Sequence, residues 1–275
     1  MILTVLAATA ATLTVRGDRL YVPAIINGVA TEAVLDSAAE ATIIDDDFAT
    51  RIAAGKGRGV IARGSGGTAR AELISGAKIE AAGLTLSDRT IAILDLDDIG
   101  RRLFGRRLNA IVGRELFDAS RLAIDVEEGT LAAISRRSRP QGARLSLKPN
   151  RGIETIPIRV DGKAVRAAFD LGNGSDMLVG RAFALRAGLL RRARSTAKGG
   201  GIGGEVVRPI VTLRSVRLGG VRFRNVRAAI DEQPDAADAN VGVKLLRRFR
   251  IVTDFPQKAV WLQPRRATGS GVPNG

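Results

Sequence analysis

The chain has 275 residues, 45% of them apolar and 26% charged, enough for one large globular domain or two small ones with separate cores. There is no Cys and no His. That excludes the Ser-His-Asp triad, Cys-His pairs, disulfides, thiol redox chemistry and any His- or Cys-ligated metal site, leaving catalysis to carboxylates, hydroxyls, Lys, Tyr or bound water. Aromatics are only 4%, so Val, Ile, Leu and Ala must do the packing, and 32 Gly suggest the many turns of a β-rich chain. Lys and Arg number 43 against 28 Asp and Glu, a net charge of +15 that would attract polyanions. The arginines are scattered as adjacent pairs (Arg101-Arg102, Arg191-Arg192, Arg247-Arg248) with few aromatics to stack on bases. The charge therefore reads as a solvated basic face, and no nucleic-acid partner is expected.

In chain order, "MILTVLAATAATLT" (residues 1–14) is apolar for the length of a signal-peptide core, with Ala-x-Ala spacings and no positive n-region. It reads as a leader remnant, which favours an exported protein, periplasmic or secreted, over a cytoplasmic one. The alternative puts Leu13 to Val15 in a first strand. From Tyr21 a strand pattern reaches an Asn-Gly hairpin signal, and a second strand runs into Asp36 and a small-residue turn, "VLDSAAEATII". "DDDFATRIA" (Asp45 to Ala53) is a brief helix with Asp as its expected N-cap. A glycine-rich turn follows in "RGSGGTARAEL" (Arg63 to Leu73). Then come an apolar pair before Gly113, a short helix in "GRELFDAS", and a closing hairpin after Asp125. "SRRSRPQGARLSLKPNRG" (Ser135 to Gly152) is basic, with Pro and Gly, and reads as a linker.

The second half repeats this order. Glu154 to Val179, "ETIPIRVDGKAVRAAFDLGNGSDMLV", answers Tyr21 to Ile44; "GGIGGEVVRPIV" (Gly200 to Val211) answers the glycine-rich turn; "NVGVKLLRRFRIVTDFPQKAVWL" (Asn240 to Leu262) answers Asn109 to Ile134. Asp36 to Gly113 spans 77 residues and Asp170 to Gly242 spans 72, while Gly113 to Asp125 and Gly242 to Asp254 both span 12. The chain is an internal duplication. Its expected parts are the leader 1–14, lobes 15–134 and 153–264, the linker 135–152 and a disordered tail 265–275.

One carboxylate on a turn is ordinarily a helix cap or Asx-turn. Two of them, each leaving a buried strand in a duplicated half, would meet across a pseudo-twofold axis. Held close, they cannot both ionise easily and share a proton. One then acts as base toward a trapped water and the other as acid toward a carbonyl, a chemistry that needs no His, Cys or metal. Asp125 and Asp254 also recur, but before turns, and read as structural.

Carried by "LDSAAEATII", "GGIGGEVV" and "IVGRELF", with "FDLGNGSDMLV" and "NVGVKLL" in the second half, the chain resembles a retropepsin-like aspartic protease with both halves in one chain. The resemblance covers Tyr21 to Pro264. It implies a mainly β fold of two acid-protease-type lobes around a cleft, acting as an aspartic endopeptidase without cofactor or metal. Asp36 and Asp170 would form the dyad, supported by the turn residues Ser37, Ala38, Ala39, Leu171, Gly172 and Asn173. Gly64, Ser65, Gly66 and Gly67, with Gly200, Gly201, Ile202, Gly203 and Gly204, would be flap tips over an extended polypeptide substrate bound as an added strand. With both halves in one chain, a monomer is the default.

Two positions depart from the family pattern. Ala38 stands where the family has Gly, and its Cβ is expected to crowd the approach of the turns or disfavour their backbone angles. Leu171 replaces the Ser/Thr that braces the opposite turn, so half of a reciprocal brace is expected. These departures make a peptide-binding pseudoprotease the main alternative, with a polyanion-binding protein third.

Overall fold

The local signals become elements in the expected order, in a computed structural model that describes residues 10–234 and 236–265. The first half holds β1 (Ala11–Thr12), β2 (Thr14–Arg16), β3 (Arg19–Ile26), β4 (Val29–Leu35) and β5 (Ile43–Asp45), then helix α1 (Asp46–Arg51). A long hairpin follows, β6 (Arg58–Gly64) and β7 (Gly67–Ala81), then β8 (Leu84–Leu94). A helical turn α2 (Asp97–Ile99) runs into a π-helical stretch at Gly100–Phe104. β9 (Ala110–Val112), α3 (Arg114–Ala119), β10 (Arg121–Asp125) and β11 (Thr130–Ile134) complete the half. After β12 (Ala143–Ser146) and β13 (Lys148–Asn150), the pattern recurs as β14 (Ile153–Val160), β15 (Lys163–Phe169), β16 (Met177–Gly180) and α4 (Arg181–Arg186). The second long hairpin is β17 (Ser195–Gly201) and β18 (Gly204–Leu218), followed by β19 (Val221–Asp231). β20 (Ala239–Val241), α5 (Val243–Leu246), β21 (Phe249–Asp254) and β22 (Ala259–Pro264) end the fold.

Each half forms one eight-stranded sheet, in the orders β2-β3-β4-β9-β5-β8-β7-β6 and β13-β14-β15-β20-β16-β19-β18-β17. The hairpin signals act as read. Asn27-Gly28 (φ 47 and 83°) and Asp161-Gly162 (φ 46 and 84°) take left-handed backbone at both central positions, as a two-residue turn matching strand twist requires. They set the registers Ile26↔Val29 and Val160↔Lys163. One apolar core runs through both lobes, with Phe48, Phe117, Phe169, Phe249 and Phe255 fully buried.

A third, six-stranded sheet, β1-β11-β10-β21-β22-β12, joins the lobes. The terminal hairpins therefore do more than close their own halves. β10 lies antiparallel to β21 from Leu122↔Thr253 to Asp125↔Arg250. Across this seam Arg121 Nη2 meets Asp254 Oδ2 at 2.9 Å and Arg250 Nε meets Asp125 Oδ2 at 3.0 Å. The recurring Asp125 and Asp254 thus bind arginines of the opposite lobe.

Three expectations change. Ser135 to Gly152 is more than a linker: β12 pairs with β22 and β13 with β14, and Leu147 is buried. The alternation in Arg144-Leu145-Ser146-Leu147 is a strand signal that the surrounding Arg, Pro and Gly obscure. At the other end, Ala11–Thr12 pairs with β11, Leu13 is buried and Thr14–Arg16 forms β2, so this end of the expected leader is built into the fold. Residues 1–9 and the expected tail from residue 266 lie outside the described residues. Finally, Asp45 holds the N-cap position of α1, but its side chain makes no cap bond and Oδ1 accepts Leu96 N–H at 3.0 Å instead. No helix among the described residues is long and apolar enough to cross a membrane.

Candidate active site

The parallel pairings β4–β9 and β15–β20 deliver both Asp residues to the cleft between the lobes. Each lobe threads its later Gly under its Asp turn. A Cβ on Gly113 would lie 2.6 Å from Ala41 C, and one on Gly242 would lie 2.2 Å from Ser175 O, so only Gly lets these segments pass. The turns are alike in detail. Asp36 Oδ1 accepts the amides of Ala38 and Ala39 at 2.8 and 3.2 Å, and Asp170 Oδ1 accepts those of Gly172 and Asn173, both at 2.9 Å.

Ala38 does not disturb its turn in the expected way. It is absent from the residues with positive φ, so the turn needs no left-handed backbone there, and its amide bond matches that of Gly172. The steric demand falls on the other side. A Cβ on Gly172 would sit 2.3 Å from Asp36 Cγ. The Asp36 carboxyl and the opposite Asp turn approach most closely at that point.

The brace is one-sided, as the sequence implies. Ser37, 2% exposed, donates from Oγ to Phe169 O at 2.8 Å and accepts Leu171 N–H at 3.0 Å. Leu171 is fully buried in the apolar core and returns no bond. Replacing Ser37 by Ala is expected to cost about 1–3 kcal/mol, because a buried carbonyl and amide of the opposite lobe lose their partner together. Denaturant unfolding of Ser37→Ala measures it.

The carboxylates differ in their support. Asp170 Oδ2 also accepts Asn240 Nδ2 at 2.6 Å, and Asn240 Oδ1 takes Asn173 Nδ2 at 2.8 Å. Asn173 Oδ1 in turn accepts the amide and hydroxyl of Ser175 at 2.9 and 2.7 Å. Arg19 crosses from the first lobe to donate to Gly172 O, and packs over Phe104. Burial, then the charge of Asp170, pushes the Asp36 carboxyl up to about 7 against the pull of the Ala38 and Ala39 amides. Burial raises Asp170 too, opposed first by Asn240, then by Arg19 and the turn amides. Among the described residues three donors reach Asp170 and two reach Asp36, which favours the charged form on Asp170.

The expected glycine-rich tips lie at the ends of the two long hairpins, with Ser65-Gly66 and Ile202-Gly203 as their turns. The tips touch. Gly66 N–H donates to Ile202 O at 3.0 Å, Arg208 Nη2 to Ser65 O at 2.5 Å, and Arg102 Nη2 to Gly201 O at 3.2 Å. Gly is required here by proximity: a Cβ on Gly66 would lie 2.1 Å from Gly204 O. Together the hairpins and Asp turns enclose a cavity of about 1420 Å³ lined by Asp36, Asp170, Ala38, Ala39, Gly172 and Asn173 and by all the expected tip residues except Gly66, Gly203 and Gly204. Ser37 and Leu171 lie outside its lining, on the buried side of the turns.

Sequence reading missed Arg19, Asn240, Arg208 and Arg102. Comparing the halves position by position exposes two of them, since Asn240 stands where the first half has Ile111 and Arg208 where it has Ala71. Arg19 and Arg102 act across the lobe boundary and leave no local signal. Several arginines are bonded to carboxylates, Arg102 to Asp98, Arg107 to Asp47, Arg247 to Glu127 and Arg265 to Asp125 among them, so part of the basic charge is paired internally while the net +15 remains.

A family model described as Aspartyl protease matches the chain twice, over residues 22–115 and 156–245. Among solved structures, a retropepsin-like aspartic protease from Rickettsia conorii is similar at 21% identity and TM-score 0.36, over 45% of this chain and 96% of that one. No curated protein matches.

Proposed function

Since the chain belongs to the aspartyl protease family, we propose that it is an aspartic endopeptidase acting through Asp36 and Asp170, one from each half. The observation that carries the reading is the convergence of two carboxylates from duplicated turns on one enclosed cavity, with the Asp36 carboxyl raised to about 7. An extended peptide enters under the paired hairpins, which act as flaps, and adds its backbone as a strand. A water between the carboxylates is deprotonated by Asp170 as it attacks the scissile carbonyl carbon. Asp36 gives its proton to the carbonyl oxygen, forming a neutral tetrahedral diol. As the diol collapses, one hydroxyl gives its proton to Asp36 and the C–N bond breaks, the amine leaves with the proton held by Asp170, and the carboxyl product departs with the dyad restored. Ser37 and Asn240 hold the two turns so that this exchange needs no rearrangement.

The test is hydrolysis of a reduced, unfolded protein such as casein across pH 4 to 8. The active form carries one proton on the pair, so the rate is expected to fall about tenfold per pH unit above about 7. In Asn240→Ile, which copies the first lobe, a bond to the ionised form of Asp170 is gone. That carboxyl then holds its proton more tightly, so the acidic limb, where Asp170 gives up its proton, is expected to move to higher pH while the falling limb set by Asp36 stays near about 7. A flat profile would count against a shared proton, and an inert, folded chain would leave a peptide-binding cleft without catalysis.

A further inference from the structure

The two lobes correspond residue by residue, but their cavity walls do not have the same chemistry. Leu73 pairs with Ala92 in one lobe and Ile210 with Ala229 in the other, so Ala71 corresponds to Arg208 and Leu94 to Asp231. Val34 pairs with Ile111 and Ala168 with Asn240, which makes Ile111 and Asn240 equivalent. All six of Ala71, Leu94, Ile111, Arg208, Asp231 and Asn240 line the cavity. One wall is therefore aliphatic at the positions where the other carries a cation, an anion and an amide.

Arg208 is the unusual member. It is 5% exposed, and its Nε has no hydrogen-bond partner among the described residues. Asp231 does not satisfy it, because its Oδ1 stands 3.6 Å from Nη2 and accepts the Gln233 amide at 3.3 Å. Arg208 lines the cavity, and a buried guanidinium N–H without an acceptor carries an unmet desolvation cost. Arg227 adds a second cation to the same wall, leaving it positive with Asp231 counted.

Resting on the peptidase reading of this cleft, we propose that the C-terminal-lobe wall is a subsite for an acidic side chain, an Asp or Glu of the peptide, bound by Arg208. The opposite wall of Ala71, Leu94 and Ile111 takes an aliphatic side chain. The enzyme thus distinguishes the two directions of a substrate, which a cleft with identical halves does not. A carboxylate supplies a charge-assisted bond to the Arg208 guanidinium that a carboxamide supplies more weakly and a methyl not at all.

The test uses Asp36→Asn, so that ligand is not consumed, and fluorescein-labelled Ala/Leu decapeptides carrying Glu, Gln or Leu at one position at a time. Anisotropy titration is expected to find one position where Glu binds about tenfold or more tighter than Leu, with Gln between them. Adding Arg208→Met should bring Glu and Leu at that position to within about twofold of each other, a ratio that a general loss of affinity from the lost Ser65 bond does not change. Equal affinity for Glu and Leu at every position, or an advantage that survives Arg208→Met, overturns the subsite and leaves the cleft reading standing. Failure of every peptide to bind overturns both. Selective binding with no hydrolysis by the unsubstituted chain sinks the peptidase reading alone.

Discussion

Asp36→Asn and Asp170→Asn, each alone, are expected to lower peptide hydrolysis by about 10³-fold, the scale of losing a positioned acid or base. The single changes should be as damaging as the double, since base and acid act as one unit. Hydrolysis that survives both would put the chemistry elsewhere in the chain. The same variants carry a second, independent readout. The Asp36 carboxyl is raised from an ordinary 3.8 to about 7, so folding favours its protonated form. That contribution is intact at low pH and is lost as pH rises from about 4 through about 7. Asn carries no charge to bury, so Asp36→Asn should melt at a higher temperature than the parent at pH 8. The difference should shrink toward pH 4. A melting difference independent of pH would mean that Asp36 is not buried with a raised affinity for its proton.

The second large effect lies far from the cleft. Arg121→Ala is expected to cost about 3–5 kcal/mol in denaturant unfolding, because it strands a buried carboxylate. Asp254 is fully buried, and Arg121 gives it bonds at 3.0 and 2.9 Å while also donating to Arg136 O and Ser138 O. Among the described residues Arg136, at 3.6 Å and half exposed, is the other cation paired with Asp254. The pseudo-symmetric change should be mild. Arg250 has a side chain 59% exposed, and Asp125 keeps Arg265, so Arg250→Ala should cost no more than about 1 kcal/mol. Equal costs for the two would mean that burial of the seam is not what gives the Arg121 bond its weight. The lobes share this sheet, so Arg121→Ala should also lower hydrolysis at temperatures where the seam opens.

By itself the sequence determined what is local or repeated. Asn27-Gly28 and Asp161-Gly162 specify their turns through backbone preference alone. The Asp turns, the glycine-rich hairpin tips and the Gly after each apolar pair are legible because duplication writes each of them twice. The one-sided brace follows from comparing Ser37 with Leu171, and the Asn240 and Arg208 substitutions were open to the same comparison.

Tertiary structure decided the rest. The six-stranded seam joins two local hairpins and flanking strands that are individually ordinary, through three pairings whose partners lie more than a hundred residues apart, as Ala123 does from Val252. It also drew β12 out of a segment whose composition reads as linker. Ala38 stands in a Gly position without a left-handed backbone, and the tight approach falls instead on Gly172 of the opposite lobe, which makes the room that Asp36 needs. Arg19 became part of the site for the same reason, by reaching across to Gly172. Such relations rest on distances between surfaces that the chain brings together only when both cores have formed.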